Sequence, residues 1–498
     1  MLGDVICKIN ETPIEPSYYP PVDVTNLNIT VGDKQLTISW NDPDDVENGV
    51  WAGSKLVRKV GGYPISEEDG TVVVDSTVRN QYSTGYIDTN LINGETYYYQ
   101  VFPYSDKGKV NTNETNRVSG TPIRYWILGV AIDETNSNPE TAVTYTDDAV
   151  GMTPASHGDD GMMVTGQEFL DLFKVRPCVL GNGNGVVQYY LNPNNYNEKE
   201  DGEESDLTGA DGNVMVEIPK IGYKFNRVGN ILNIQLTNKP DAEGFCYLAH
   251  TRGSTVKDKL YIGAYISRPF SVSSFEGFVS CSGRKPTTGS TSSVYRQYSQ
   301  ANGEGYNTMG FYQLTLLQCM YLIMYKNLNS QTALGRGYTS SNNTETIATG
   351  GTNAKGMCFG EQTGNLQMKF LGIEDFWGNA SQLIDGMYVD NSYNIKTATE
   401  NFNDTGDGYP YVHPSGLSGN TMGYLVIPQG TNNTGFCIKN RGGSSSTFYA
   451  DGGFLRGGGY LYYFGGSWND GLSSGAFCTK AYLSTSSSKY CGSRLMYL

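Results

Sequence analysis

The sequence predicts a multidomain, mainly β protein with an α+β portion, and three observations predict it. The chain has 498 residues, more than a single hydrophobic core normally serves, so two to four domains are expected. Its N-terminal part breaks into short alternating segments separated by turn residues, the pattern of an all-β sandwich. Glycine reaches 62 and tyrosine 37 while charged residues are only 17%. Glycine in that excess, without a collagen-like period, predicts many turns and a loop-rich fold. Tyrosine in that excess supplies rigid contact area with one hydroxyl, the composition of a binding surface.

Residues 1–21 carry Pro13, Pro16, Pro20 and Pro21 and read as an extended N-terminal arm or linker. Next come Leu36-Thr37-Ile38-Ser39-Trp40, Val72-Val73-Val74 and Tyr97-Tyr98-Tyr99-Gln100-Val101. Asn41-Asp42-Pro43, Gly61-Gly62 and Asn93-Gly94 separate them as turns. A sandwich of roughly 100 residues is expected over 22–122. The stretch 123–213 reads as a linker or adaptor leading into a head. Within it, Gly166 to Lys174 has the apolar spacing of a short amphipathic helix. Strand patterns return at Val214-Met215-Val216-Glu217-Ile218 and from Ile231 to Leu236. Phe311 to Tyr325 has apolar residues on nearly every side and no charge before Lys326, which predicts a helix buried all round. The polar stretches Lys285–Thr308 and Tyr338–Gly356 are long for connectors; they are either disordered or the irregular surface of a folded head.

The last sixty residues, 439–498, hold twelve Gly, eleven Ser and seven Tyr against eight charged residues. Interleaved rings and small polar residues match a paratope, where rigid anchors sit beside adaptable polar contacts. The candidate contact residues are Tyr449, Phe454, Arg456, Tyr460, Tyr462, Tyr463, Trp468, Asn469, Asp470, Tyr482 and Tyr490.

Net charge is −15 with no basic cluster, which argues against nucleic acid, whose binding needs Lys and Arg against phosphate. The acidic run Glu198–Asp206, relieved only by Lys199, reads as a solvated loop. The N-terminus shows no cationic stretch followed by an apolar core, so no signal peptide is expected. No segment is apolar for the ~20 residues a membrane-spanning helix needs. Nine scattered cysteines predict buried thiols of a protein folded in a reducing compartment rather than a disulfide framework.

Catalysis is not expected. Gly471-Leu472-Ser473-Ser474-Gly475 fits the G-x-S-x-G pattern, but no acid and no histidine follows it; the histidines are His157, His250 and His413. Gly181 to Gly185 lacks the rest of a phosphate-binding loop. No C-x-x-C pair supports zinc, and no cofactor is expected. The adjacent acids Glu374 and Asp375 are the pair to consider for glycan cleavage; a turn role beside Trp377 is the preferred reading.

Two stretches resemble known families. Trp40, then Leu91 with Asn93-Gly94-Glu95-Thr96-Tyr97, and the closing Val118-Ser119-Gly120-Thr121-Pro122 resemble a fibronectin type III domain, an immunoglobulin-like sandwich. That resemblance implies a buried Trp40, a corner role for Tyr97 and inward-facing Tyr99 and Val101. Arg441-Gly442-Gly443-Ser444, Gly465-Gly466-Ser467-Trp468-Asn469-Asp470-Gly471, Gly475-Ala476-Phe477, Gly492-Ser493-Arg494-Leu495 and, upstream, Ile373 to Asn379 resemble the C-type-lectin-like domain of retroelement-diversified variable proteins of the major tropism determinant type. Ser493 stands where that ending carries Phe. Asn136 to Met152 is similar to the opening of such modules in phage tail proteins, so the likeness spans about 123–498, with the lectin-like domain proper expected over 214–498.

The resemblance implies a non-enzymatic bacteriophage virion protein, folded in the host cytoplasm before assembly. Its partners would be a host cell-surface receptor, glycan or protein, and other virion proteins through the N-terminal region, with a homotrimeric state. A structural head-fibre or decoration protein and a cell-wall or capsule depolymerase are the alternatives. Trp468-Asn469-Asp470 is similar to a calcium-holding signature of sugar-binding lectins, to which Asp404 or Asp407 would add oxygens. The accompanying Glu-Pro-Asn or Gln-Pro-Asp motif is missing, and no metal is expected.

Overall fold

A computed structural model describes residues 18–181, 183, 185–272 and 275–498. Most of the expected N-terminal arm, and Cys7 with it, lies outside the described residues. The chain is mainly β and divides into two compact units, Met1–Tyr125 and Trp126–Leu498.

Seven strands build the first unit: β1 (Thr25–Gly32), β2 (Gln35–Asn41), β3 (Trp51–Val60), β4 (Thr71–Ser76), β5 (Tyr86–Thr89), β6 (Tyr97–Ser105) and β7 (Arg117–Gly120). They pair antiparallel in two sheets, β1-β2-β5 and β4-β3-β6-β7. Strict alternation along β2 buries Leu36, Ile38 and Trp40, because successive side chains of a strand point to opposite faces. Those three share one core with Leu56, Val74, Tyr99 and Val101 of the other sheet. Polar groups pin the arrangement. Asp88 accepts from Tyr99 at 2.8 Å and from Arg58 at 2.9 and 3.0 Å, so one carboxylate ties β5 to β6 and β3. The Tyr97 hydroxyl accepts the Ile92 N–H at 3.0 Å and donates to Glu95 at 2.8 Å, closing the turn before β6.

In the second unit a seven-stranded sheet runs in the order Asn195–Lys199, Val187–Asn192, Arg176–Leu180, Asn213–Pro219, Lys259–Gly263, Leu495–Tyr497 and Tyr306–Thr308. Gly222–Val228, Ile231–Thr237, Ile127–Asp133 and Val143–Asp147 form a four-stranded sheet. A second joins Thr479–Leu483, Tyr460–Phe464, Ser381–Ile384 and Cys491–Gly492. Ile438–Arg441, Thr421–Pro428 and Gly452–Leu455 form a three-stranded one. Helices α1 (Gln167–Phe173), α2 (Ser292–Gln300) and α3 (Phe311–Tyr325) complete the scaffold.

All fifteen residues of α3 are buried, as its ring of apolar positions predicts. Its polar side chains are satisfied: Gln313 donates to the Ala249 carbonyl at 2.6 Å, Gln318 to that of Ala476 at 2.8 Å, and Thr315 to that of Phe311 at 3.0 Å. Lys326, in the left-handed region at φ 51, closes the helix through its N–H to Leu322 O.

Two expectations change here. The stretch 123–213 is not a linker or adaptor beyond Tyr125. Ile127–Asp133 pairs with Ile231–Thr237, and Arg176–Leu180 with Asn213–Pro219. Trp126, Leu128, Val130, Ile132, Phe169 and Phe173 enter the same core as α3. The second unit therefore starts at Trp126 rather than 214. Long polar loops rich in Asn and acids separate these strands, which made the segment read as a connector. The polar stretch Lys285–Thr308 is likewise structured, holding α2 and the strand Tyr306–Thr308.

Candidate recognition surface

The closing stretch is built into the core from its far end. Leu495–Tyr497 inserts between Lys259–Gly263 and Tyr306–Thr308. Arg494 is fully buried there; it donates from Nε to Gln382 at 2.6 Å, from Nη1 to Gly263 O at 2.7 Å, and from Nη2 to the carbonyls of Glu374 and Asp375 at 2.7 and 3.0 Å. A guanidinium suits the position because its planar fork serves several acceptors at once.

Glu374 and Asp375, the adjacent acids considered for catalysis, are buried in this same knot. Glu374 accepts from Gly350 N at 2.6 Å, from Thr352 N at 2.8 Å and its hydroxyl at 2.6 Å, and from Gln367 at 3.0 Å. Asp375 accepts from Gln367 at 2.7 Å and Asn379 at 2.8 Å. Burial, and then the Glu374 charge, push the Asp375 carboxyl well above the ordinary carboxylate range. Burial lowers the nearby Lys369 ammonium to about 8; it donates to Thr352 O and lies over the Tyr196 ring, 3.7 Å from its centroid. Their environment makes this pair a structural knot.

Of the residues singled out as contacts, four are core. Tyr449, Tyr462, Tyr463 and Trp468 are all buried, so their rings pack inward and are not contact residues. Tyr449 stacks edge-on to Phe477, and Tyr463 edge-on to Tyr482. Tyr462 and Tyr463 are buried because Tyr460–Phe464 lies between two partner strands and is interior on both faces from Leu461 onward.

Phe454, Arg456 and Tyr460 come together at the turn between Gly452–Leu455 and Tyr460–Phe464. The Arg456 guanidinium lies 5.8 Å from the Phe454 ring centre and 5.3 Å from that of Tyr460, each side chain part-exposed. Buried Tyr462 holds this turn from beneath. Its hydroxyl accepts the Arg456 N–H at 2.8 Å and donates to the Arg456 carbonyl at 3.0 Å. Tyr388 accepts the Gly459 N–H at 3.0 Å. Gly458 and Gly459 take φ of 73° and 78°, which glycine alone adopts at little cost.

Of the remaining candidates, Tyr482 is part-exposed and faces Leu461 from the strand beside Tyr460–Phe464. Tyr490 packs on Trp468 with ring centres 5.1 Å apart, and Lys489 lies over both. Asn469 accepts from the Ser467 hydroxyl at 3.2 Å. Asp470 accepts from Ser467 N at 2.6 Å and its hydroxyl at 2.7 Å, and is ion-paired with Lys480. Both Asp470 oxygens are thus engaged in holding the turn. Of the two further oxygen donors considered, Asp404 pairs with Arg296 at 2.9 Å and Asp407 accepts from the Thr405 hydroxyl at 2.8 Å. Among the described residues no group of three or more His, Cys, Asp or Glu is placed to hold a metal ion, and no helix is long and apolar enough to cross a membrane.

No family profile matches the chain, and no curated protein matches it. Among solved structures it is similar to PvdO from Pseudomonas aeruginosa, with 10% identity, a TM-score of 0.25, and coverage of 58% of this chain and 95% of that one. It is also similar to the M1 variant of Major Tropism Determinant (11% identity, TM-score 0.24) and the U1 variant (12%, 0.23), each over 88% of this chain and 95% of the other. At TM-scores of this size none of the three assigns the chain to a family.

Proposed function

We propose that this chain is an adhesin of a bacteriophage particle, a tail receptor-binding or tail-tip protein whose second unit grips a host cell-surface glycan or protein. The observation that carries the reading is the Phe454–Arg456–Tyr460 cluster, part-exposed on a turn clamped by the Tyr462 and Tyr388 hydroxyls. Aromatic and arginine side chains dominate binding energy at interfaces, and a turn already held in place loses little freedom on binding. The resemblance of the closing stretch to variable lectin-like domains supports the same reading. In it the first unit is a fibronectin type III-like spacer, the N-terminal region docks on other virion proteins, and the second unit is a lectin-like head. A homotrimer, repeated on the particle, would turn weak single contacts into firm attachment. No reaction is assigned.

The test is binding of the fluorescently labelled full-length chain to cells of the host strain. Saturable binding that falls at least tenfold in the triple variant Phe454→Ala, Arg456→Ala, Tyr460→Ala supports the adhesin. Absence of saturable binding, with immuno-electron microscopy placing the protein on capsids, favours the structural virion role instead.

A further inference from the structure

A groove of about 770 Å³ opens at the end of α3. A second hollow of about 450 Å³ continues from it, sharing Glu140, Asn327 and Thr332 as lining residues. Each is within the roughly 300–1,000 Å³ typical of small-molecule sites. The walls come from distant parts of the chain that are bonded to one another. Leu328 N donates to Pro139 O at 3.0 Å, Ala155 N to Met324 O at 2.8 Å, and Gly360 N to Gly161 O at 3.1 Å. The floor is closed by two rings. His157 donates from Nδ1 to Gly161 O, an atom that only accepts, so its Nε2 is bare and accepts the Tyr325 hydroxyl at 2.9 Å. The rings lie nearly parallel, 10° apart.

The lining chemistry is selective. The outer wall carries polar side chains, Ser156, Asn327, Thr332, Gln362, Thr363 and, in the adjoining hollow, Thr447, each bonded within the chain and each keeping further hydrogen-bonding capacity. Its apolar contributions are Pro154, Ala155 and Ala333 with Pro139 beyond them, and Tyr325 is sealed beneath His157. A protein partner needs aromatic or large aliphatic side chains and the pockets that take them; this groove exposes no large aliphatic side chain, and its one partly exposed ring is that of His157. Glu140, Asp159 and Lys326 line it without an ion-pair partner among the described residues, and Glu361 adds a further carboxylate. Three carboxylates against one ammonium repel an anionic ligand, while carboxylates and amides are strong partners for hydroxyl groups.

We infer that this groove binds a neutral, hydroxyl-rich saccharide chain, edge-on and through hydrogen bonds. The inference deepens the adhesin reading, on which its biological role rests, by naming the chemical class the head takes at a surface separate from the Phe454–Arg456–Tyr460 turn. Each site alone is weak, and repetition on a particle supplies the rest.

The experiment is calorimetric titration of the full-length chain with a panel of neutral tetrasaccharides of gluco, galacto, manno, rhamno and N-acetylhexosamine type, beside a tetragalacturonate. At least one neutral chain binds saturably, and the uronate binds at least tenfold more weakly than the neutral galacto chain or not at all. Thr332→Trp, which fills the shared rim, lowers binding at least tenfold. Glu140→Lys, on an exposed side chain, narrows the neutral-over-uronate preference even if the tryptophan variant folds poorly. Failure of every neutral chain to bind, binding indifferent to both variants, or a preference for the uronate overturns the inference. Cell binding by the unmodified chain without saccharide binding sinks the groove and leaves the adhesin; saccharide binding without cell binding does the reverse.

Discussion

Arg494 donates one Nη2 to the main-chain carbonyls of Glu374 and Asp375 at once, joining residues 120 positions apart inside the core. The closing strand is thereby stapled to the segment before the strand Ser381–Ile384, which itself pairs with Tyr460–Phe464.

Arg494→Met is expected to lower the stability of the second unit by several kcal/mol, on the order of 3–5, because four acceptors lose their donor in a fully buried site. Arg494→Lys should recover only part of it, since an ammonium lacks the fork geometry. Denaturant midpoints of the three proteins check this; equal midpoints would contradict it.

Buried and exposed tyrosines of the closing stretch should behave oppositely. Tyr462→Phe removes the hydroxyl that clamps Arg456 and is expected to cost about 1–2 kcal/mol, with faster amide exchange at Arg456. Tyr460→Ala should leave stability within about 1 kcal/mol while weakening cell binding. If both changes act on stability alike, the assignment of one ring to the core and the other to the surface is mistaken.

His250 gives an acid-side dependence with a definite sign. Its Nε2 accepts the Ile221 N–H at 3.2 Å, so that atom carries no proton. Burial, helped by Lys220 and opposed by Asp258, holds its pKa at about 3 against an ordinary 6.5. Between those values the unfolded chain binds a proton that the folded chain does not. Stability is therefore lost as pH falls from 6.5, by up to ~1.4 kcal/mol per unit. Between pH 7 and pH 5 the unmodified chain should lose about 2 kcal/mol more than His250→Gln does. Parallel denaturation midpoints across that range would refute it.

Chelation should leave the fold alone. With one Asp470 oxygen paired to Lys480 and the other bonded to Ser467, excess EDTA is expected to leave the melting temperature unchanged. Asp470→Asn should lower stability by about 1.5–3 kcal/mol, the scale of hydrogen bonds to a charged group. A melting temperature that rises with added calcium would show the carboxylate serving a metal instead.

Local pattern was enough to read several elements from the sequence. The two-residue period of Leu36, Ile38 and Trp40, the helical spacing within Gly166 to Lys174, and the apolar circumference of Phe311 to Tyr325 all express backbone geometry directly, and each appears as expected. Near-neighbour spacing also placed strands at Val214 to Ile218 and Ile231 to Leu236, inside the observed Asn213–Pro219 and Ile231–Thr237. Tertiary structure decided the rest. Whether Tyr460 or Tyr462 faces water depends on which strands flank theirs, and those partners are 78 to 82 positions away on one side and 15 to 23 on the other. The membership of Trp126 to Asn213 in the second unit, the burial of Arg494 and the polar groove beneath α3 all come from pairings between remote segments. Periodicity reports which side of an element is apolar; only the closure of distant strands around a common core decides what lies against that side.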